Sequence, residues 1–246
     1  MLNRKLKIVA GSAMLLLSMP AGSHLNASNY SKDFEFIGRE YTAATATASL
    51  SAQPIGLNRN AVSFVKDYIR RNDDNLEKIR ERGEQHFDMM DSVFNAYGLP
   101  IELKYLAVIE SELKATATSK VGAKGPWQLM PETAKILGLK ITRHYDERTN
   151  YRKSTRAAAI YLRDLHKMYG DWLLVLAAYN GGPGLVNSAI KKSGSRNFWK
   201  LQNYLPAESR GHVKKFIATH YYFEGQGGKT TLTKAELQKL LKENNG

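Results

Sequence analysis

From Asn60 onward the apolar residues of this chain recur at three- and four-residue intervals, and nowhere do apolar and polar residues alternate long enough to build a sheet. Val62, Phe64, Val65, Tyr68 and Ile69 open the pattern, and Asp74–Tyr97 continues it as a long charged amphipathic segment. Gly98 supplies a stop and Pro100 a fresh start. The same spacing predicts helices at about Pro100–Lys114, Pro131–Leu137, Lys153–Tyr169, Asp171–Asn180, Gly184–Lys192, Asn197–Tyr204 and Glu208–Glu224. After the break at Gly225-Gln-Gly-Gly228, Thr233–Lys242 forms one short amphipathic helix with a Thr cap. The fold class is all-α.

Before Asn60 the chain reads differently. Arg4, Lys5 and Lys7 precede a run of small and apolar residues from Ile8 to Met19, and a polar stretch follows Pro20. That order is the pattern of a secretory signal, and the run is too short for the roughly 20 residues that a membrane-spanning helix needs. Residues 1–27 are therefore read as an export signal cut after Ala21 or Ala27, which makes the protein periplasmic or otherwise exported. Residues 28–57 are rich in Ser, Thr and Ala without a period and are read as a flexible linker. Residues 58–224 form one helical domain, and residues 225–246 a short C-terminal tail helix.

Composition restricts the chemistry. Zero cysteine excludes a disulfide scaffold, a thiolate metal site, a Cys nucleophile and a lipid-modified N-terminal Cys. The net charge of +13 falls to +10 once residues 1–27 are removed, and such a surplus suits a polyanionic partner. For an exported chain that partner is an acidic wall polymer or a membrane surface rather than nucleic acid. The histidines His86, His144, His166, His212 and His220 form no His-Glu-x-x-His pattern, so neither a metal nor another cofactor is predicted. No Gly-x-Ser-x-Gly elbow marks a serine hydrolase.

One carboxylate stands out. In Pro100–Lys114 the apolar stripe runs through Leu103, Leu106, Ala107 and Leu113, and Glu110 falls on it, whereas Glu112 is turned about 200° away. Burial disfavours the ionised form of a carboxylic acid, which is what a general acid near neutral pH requires. Periodicity alone fits equally well a Glu at the edge of the stripe, paired with Lys or Arg. The aperiodic stretch Thr116–Gly125 then leads into Trp127-Gln-Leu-Met-Pro131. An aromatic ring, an amide and hydroxyls beside an acid are the groups that bind sugars. Trp127 and Met130 are also good core residues, and for Met130 the core is the better assignment. A third segment, Ala177-Ala-Tyr-Asn-Gly-Gly-Pro-Gly184, ends a helix at Asn180 and lets another chain or ligand approach closely. Taken alone it reads as a capping turn with Tyr179 in the core, and it lacks the pattern of a phosphate loop.

Taken in order, Glu110-Ser111, Ser119-x-x-Gly-Ala-x-Gly125, Trp127-Gln-Leu-Met-Pro131, Ala178-Tyr-Asn-Gly-Gly182 and Leu205-Pro-Ala-Glu-Ser209 resemble the lytic transglycosylase (SLT) domain of the lysozyme-like superfamily. Tyr145-Asp-Glu-Arg148 and Phe198-Trp-x-Leu201 bring the resemblance closest to the membrane-bound lytic murein transglycosylase D group, over about residues 58–224. The resemblance implies a lysozyme-like catalytic domain with an N-terminal helical extension, acting on peptidoglycan glycan strands. It implies that Glu110 protonates the bond between N-acetylmuramic acid and N-acetylglucosamine. The same carboxylate then takes the proton of the muramic C6 hydroxyl, giving a 1,6-anhydro end. Ser119, Trp127, Gln128, Tyr179, Asn180 and Glu208 are implied to line or orient the sugar cleft of a monomer, with possible membrane or wall-complex association.

The chain departs from the family pattern at three places. Pro126 stands where the group has Leu or Ile. His212 stands where the pattern has Tyr, which removes a hydroxyl and brings in a group that titrates in the physiological range; the exchange is read as one polar-tipped ring for another. The C-terminal peptidoglycan-binding repeats common in the group do not follow the domain. Two further readings belong beside the lyase. One is a non-catalytic peptidoglycan-binding or assembly protein, and the other a hydrolytic, goose-type lysozyme activity in which Asp146 and Glu147 hold a water. Asp146 and Arg148 are expected to be structural.

Overall fold

The computed structural model describes residues 55–244, and the regular elements among them are all helical, with paired extended backbone limited to isolated bridges. The export signal and most of the linker expected from the sequence lie outside the described residues. Helix α1 (Arg59–Ala96) runs for 38 residues, about 57 Å at 1.5 Å per residue. Asn58 caps it, its side-chain oxygen accepting the Asn60 N–H at 2.9 Å, and the helix stops at Gly98, whose φ of +64° suits glycine. Ala61, Val65, Leu76, Ile79, Met90, Val93 and Phe94 face inward along it. Their partners are α4 (Tyr151–Tyr169) and α8 (Ala207–Glu224).

Between α1 and α4 lie two short helices, α2 (Tyr105–Ser111) and α3 (Pro131–Ile136). Helix α5 (Trp172–Gly181) is the axis of the molecule. Every residue from Trp172 to Asn180 is buried, so the helix is apolar nearly all round, as a helix surrounded by others must be. It touches α4, α6 (Pro183–Ser193) and α8, and α6 in turn packs on the single turn α7 (Phe198–Leu201). The two ends of α5 have clear local causes. Asp171 Oδ1 accepts the N–H groups of Leu173 and Leu174 at 3.0 and 3.2 Å, and Gly182 stops the helix at φ +82°.

The short tail helix expected for residues 225–246 is present and packs on the domain, and Ile55, at the end of the linker expected for 28–57, is bonded to it. Gly227 N–H bonds the Ile55 carbonyl at 3.2 Å, and the Tyr221 hydroxyl donates to the same carbonyl at 2.6 Å. Helix α9 (Lys234–Asn244) is tied to α5 through Lys234 N–H on Asp171 Oδ2 at 2.7 Å, and to α1 through Asn58 and Glu236. Thr230, Thr231 and Thr233 are buried here, which polarity alone argues against. Their hydroxyls find partners: Thr231 donates to Gly228 O at 2.9 Å, Thr233 to Glu236 Oε2 at 2.8 Å, and Thr230 Oγ1 lies 3.4 Å from His220 Nδ1 on α8. This end of the chain is therefore part of one packed body.

Candidate active site

Glu110 sits on α2, just after a 3-10 turn (Ile101–Lys104) that forms the first part of the helix expected at Pro100–Lys114. The helix ends early, at Ser111. Glu112 and Leu113 follow with φ of 55° and 61°, left-handed values unusual for residues with side chains. Their carbonyls explain the turn. Arg82 Nη1 donates to Glu112 O at 2.6 Å and the Tyr151 hydroxyl to Leu113 O at 2.5 Å. Neither carbonyl continues the helix. Glu112 itself meets Lys114 at 2.6 Å near the surface.

Around Glu110, α2 is buried almost all round, because Val108 is as enclosed as Leu106 and Ala107. Glu110 is 6% exposed. Its Oε1 lies 2.9 Å from Nε2 of His212, which comes from α8 and is also buried. Tyr179, at the C-terminal end of α5, lies near enough to feel the Glu110 charge. Burial first, and that charge second, push its phenol well above the usual range, so the hydroxyl stays protonated. It donates to the Trp127 carbonyl at 2.7 Å. Asn180 is buried beside it in sequence.

The segment after α2 is more ordered than the loop its sequence suggests. Thr118 pairs with Lys124, and Lys124 with Leu129, so the chain doubles back twice over residues 118–129. Ser119 N–H bonds Ala123 O at 2.8 Å, and Ser119 Oγ accepts the Ala123 N–H at 3.0 Å. Arg148 clamps the fold from outside, giving Nη1 to the carbonyls of Gly122 and Leu129 at 2.8 and 2.9 Å, while its Nε and Nη2 meet Asp146 at 3.0 and 2.8 Å. The guanidinium beside Asp146 holds that carboxyl below its usual range. Gly125 has φ +83°, and a Cβ there would stand 1.9 Å from the Arg148 carbonyl oxygen, so no other residue fits without moving the backbone. Ser111 Oγ, next to Glu110, donates to Pro126 O at 2.8 Å and fixes this double turn against the acid's helix.

A buried carboxyl on a short helix, a double turn bonded to that helix, and Tyr179-Asn180 from a central helix form one constellation. Residues 95–202 match the family described as the transglycosylase SLT domain. Over these residues the chain is similar to transglycosylase SLT domains. It is 39% identical over 158 residues to the membrane-bound lytic murein transglycosylase D of Escherichia coli, covering 62% of this chain and 34% of that protein. Two solved structures are each 25% identical with a TM-score of 0.50. One is the lytic transglycosylase Slt of Pseudomonas aeruginosa as an inactive glutamate-to-glutamine mutant, covering 57% of this chain and 24% of that one. The other is the 70-kDa soluble lytic transglycosylase of Escherichia coli, covering 61% and 26%. The chain thus spans about a third of the length of the curated relative just named and about a quarter of each solved chain.

The residues picked out from the sequence divide into groups. Glu110 on α2 and Tyr179 and Asn180 at the end of α5 are all buried. Ser119 and Gln128 are half-buried in the double turn. Gln128 has φ +46°, and its amide nitrogen donates to the carbonyls of Ala117 and Gly125 at 3.1 and 2.9 Å, so this group braces the turn. Glu208 is exposed in the first turn of α8, four residues before His212 and on the same side of that helix.

Trp127 is a correction. Its ring is 0% exposed, lies edge-on to Phe94 at 5.7 Å, and donates Nε1–H to Thr155 Oγ1 at 2.9 Å. No face is open for a sugar to stack on; the ring anchors the double turn in the core. Sequence reasoning also missed the position of His212, which it treated as a plain exchange of rings. Its departure from the family pattern was the available signal, but the contact spans 102 residues. Finally, a surface hollow of about 460 Å³ lies between α1, α2 and α8, lined by Tyr68, Ile109, Glu112 and Lys215 among others. Glu110 does not line it, so the acid and this hollow belong to different surfaces of α2.

Proposed function

We propose that this chain is an exported lytic transglycosylase that cleaves the β-1,4 bond between N-acetylmuramic acid and N-acetylglucosamine in peptidoglycan. The observation that carries the reading is one enclosed carboxyl, Glu110, held by His212 and flanked by Tyr179 and the double turn. The relative crystallised as an inactive glutamate-to-glutamine mutant supports a mechanism that depends on a single glutamate.

In the first step the Glu110 carboxyl gives its proton to the glycosidic oxygen, and the C1–O bond breaks with the electron pair leaving on that oxygen. The departing N-acetylglucosamine keeps the proton as a hydroxyl. In the second step the Glu110 carboxylate takes the proton of the muramic C6 hydroxyl, and O6 bonds to C1. The 1,6-anhydro ring closes, the carboxyl is restored and no water is consumed. This plan needs one carboxylate, whereas hydrolysis usually employs two. The acids considered for holding a water are otherwise engaged: Asp146 pairs with Arg148 at 2.8 Å and Lys124 at 3.5 Å, and Glu147 with Lys153 at 2.5 Å. Ser119, Gln128, Asn180 and Glu208 are proposed to shape the cleft and contact the glycan.

The test is digestion of purified peptidoglycan by the wild-type protein and by Glu110→Gln, with the muropeptides weighed. The expected result is anhydro ends from the wild type, lighter by one water than reducing ends, and none from the mutant. Reducing ends would make the protein a hydrolase, and absence of cleavage by either would leave a binding role.

A further inference from the structure

We propose that His212 is the positioning residue of this site: its Nε2–H holds Oε1 of Glu110 and so reserves Oε2 for both proton transfers. The proposal rests on the reading of Glu110 as the acid and then the base. Nε2 and Oε1 are 2.9 Å apart, and both side chains are more than nine-tenths enclosed. The other ring nitrogen, Nδ1, is buried without a hydrogen-bond partner. That asymmetry decides the tautomer. A neutral imidazole carries one N–H. Placed on Nδ1, it would be a buried donor with no acceptor, which is costly. Placed on Nε2, it bonds Glu110. His212 is therefore a donor to Oε1.

A carboxyl oxygen that accepts this bond is the carbonyl oxygen of the acid form, so the acidic proton resides on Oε2. During bond cleavage Glu110 becomes a carboxylate, and a hydrogen bond to an ion is shorter and about twice as strong as one between neutral groups. The donor thus gains strength as charge develops on Glu110, which is the kind of interaction that speeds a reaction rather than tightening binding. Tyr179 cannot take this role, because its hydroxyl is committed to the Trp127 carbonyl. The geometry is rigid: His212 stands on the same helix as the buried Ser209, Val213 and Phe216, so the ring is fixed from both sides along α8.

The experiment compares the wild-type chain, His212→Gln and His212→Asn on peptidoglycan strands of defined length. The Gln amide nitrogen reaches the position of Nε2, and that of Asn falls one bond short. Gln should keep kcat within about 3-fold, while Asn should lower kcat about 10–100-fold and leave KM within about 2-fold. Equal activity in all three would overturn the proposal, as would an equal loss in Gln and Asn when both show wild-type near-UV circular dichroism. A change confined to KM would overturn it too. Should either variant fail to fold, a long-range ¹H–¹⁵N spectrum of the wild-type imidazole decides: Nε2 protonated and Nδ1 bare is expected, and the opposite tautomer refutes the assignment. That spectrum does not depend on turnover. A wild type that releases no anhydro ends would sink the functional reading while the tautomer still tests the contact.

Discussion

Among the groups through which acid should weaken this fold, His220 is the most enclosed imidazole. It lies on the inner side of α8, 1% exposed, with Tyr105 edge-on at 6.0 Å and Phe216 on the helical turn before it. The chain after α8 closes over the ring. A Cβ on Gly228 would stand 3.0 Å from the imidazole, and Thr230 Oγ1 is 3.4 Å from Nδ1. Burial is the main cause that depresses this imidazole, with Lys104 adding to it and Glu224 opposing, and the result is a fall from 6.5 to about 4. The native state thus resists a proton that the unfolded chain accepts. The contribution to stability is complete above pH 6.5 and is lost as pH falls toward and through about 4.

A shift of that size corresponds to about 3 kcal/mol, of which about 2.5 kcal/mol should be gone by pH 4.5. Carboxylates titrate over the same window, so the assay is a difference of differences. Urea unfolding of wild type and His220→Leu is measured at pH 7.5 and 4.5. The wild type should lose about 2.5 kcal/mol more than the variant between the two. The absolute effect of Leu at pH 7.5 is irrelevant to this comparison. Parallel losses, agreeing within about 0.5 kcal/mol, would refute the reasoning, because they would show that His220 is as easily protonated in the folded chain as in the unfolded one.

Three further outcomes test the site and its substrate. Gly125→Ala should destabilise the domain by about 3 kcal/mol or more and lower turnover at least about 10-fold, since the new Cβ meets the Arg148 carbonyl; Gly122→Ala, with φ +88° but open space, should cost only about 1 kcal/mol, and similar melting temperatures for the two would contradict the clash. Trp127→Phe loses the bond to Thr155 and leaves a gap, lowering stability by about 2 kcal/mol without weakening glycan binding; weaker binding at an unchanged melting temperature would return the ring to the cleft. Binding of the chain to insoluble peptidoglycan should weaken as salt approaches about 1 M, where the screening length is about 3 Å, and salt-independent retention in a sedimentation assay would separate binding from the basic surplus.

The helices were legible because their signals are local. Asn58, Asn150, Asp171 and Asn197 each accept a backbone N–H from the first turn that follows them, as short polar side chains at helix starts do. The early end of α2 was not legible. Glu112 and Leu113 have no intrinsic preference for left-handed backbone, and what turns them is a pair of distant donors, Arg82 and Tyr151, acting on their carbonyls. Trp127 failed for a related reason. An aromatic residue near an acid has the same spelling whether its face meets a sugar or its N–H meets Thr155. Glu110 was found through an argument weaker than it looked. The stripe placed it inward, but almost every side of α2 is inward, so the periodicity excluded little and the order of the motifs carried the inference.

The backbone around Glu110 is where the fold departs furthest from local preference. Among the described residues, positive φ outside glycine occurs at Glu112, Leu113 and Gln128, and the first two directly follow the acid's helix. Each such conformation costs about 1–3 kcal/mol, and it persists only where the surroundings over-determine it. Here they do. Tyr151 and Arg82 hold the first pair, while the Gln128 side chain holds its own turn through two carbonyls. A regular helix continued to Lys114 would carry the chain onward along the axis of α2. Stopping it at Ser111 returns the backbone so that Pro126 O reaches Ser111 Oγ at 2.8 Å and Trp127 O reaches Tyr179 at 2.7 Å. The strain thus links Glu110, the double turn and α5, three parts that no local rule would bring together. The packed core around α5 sustains it.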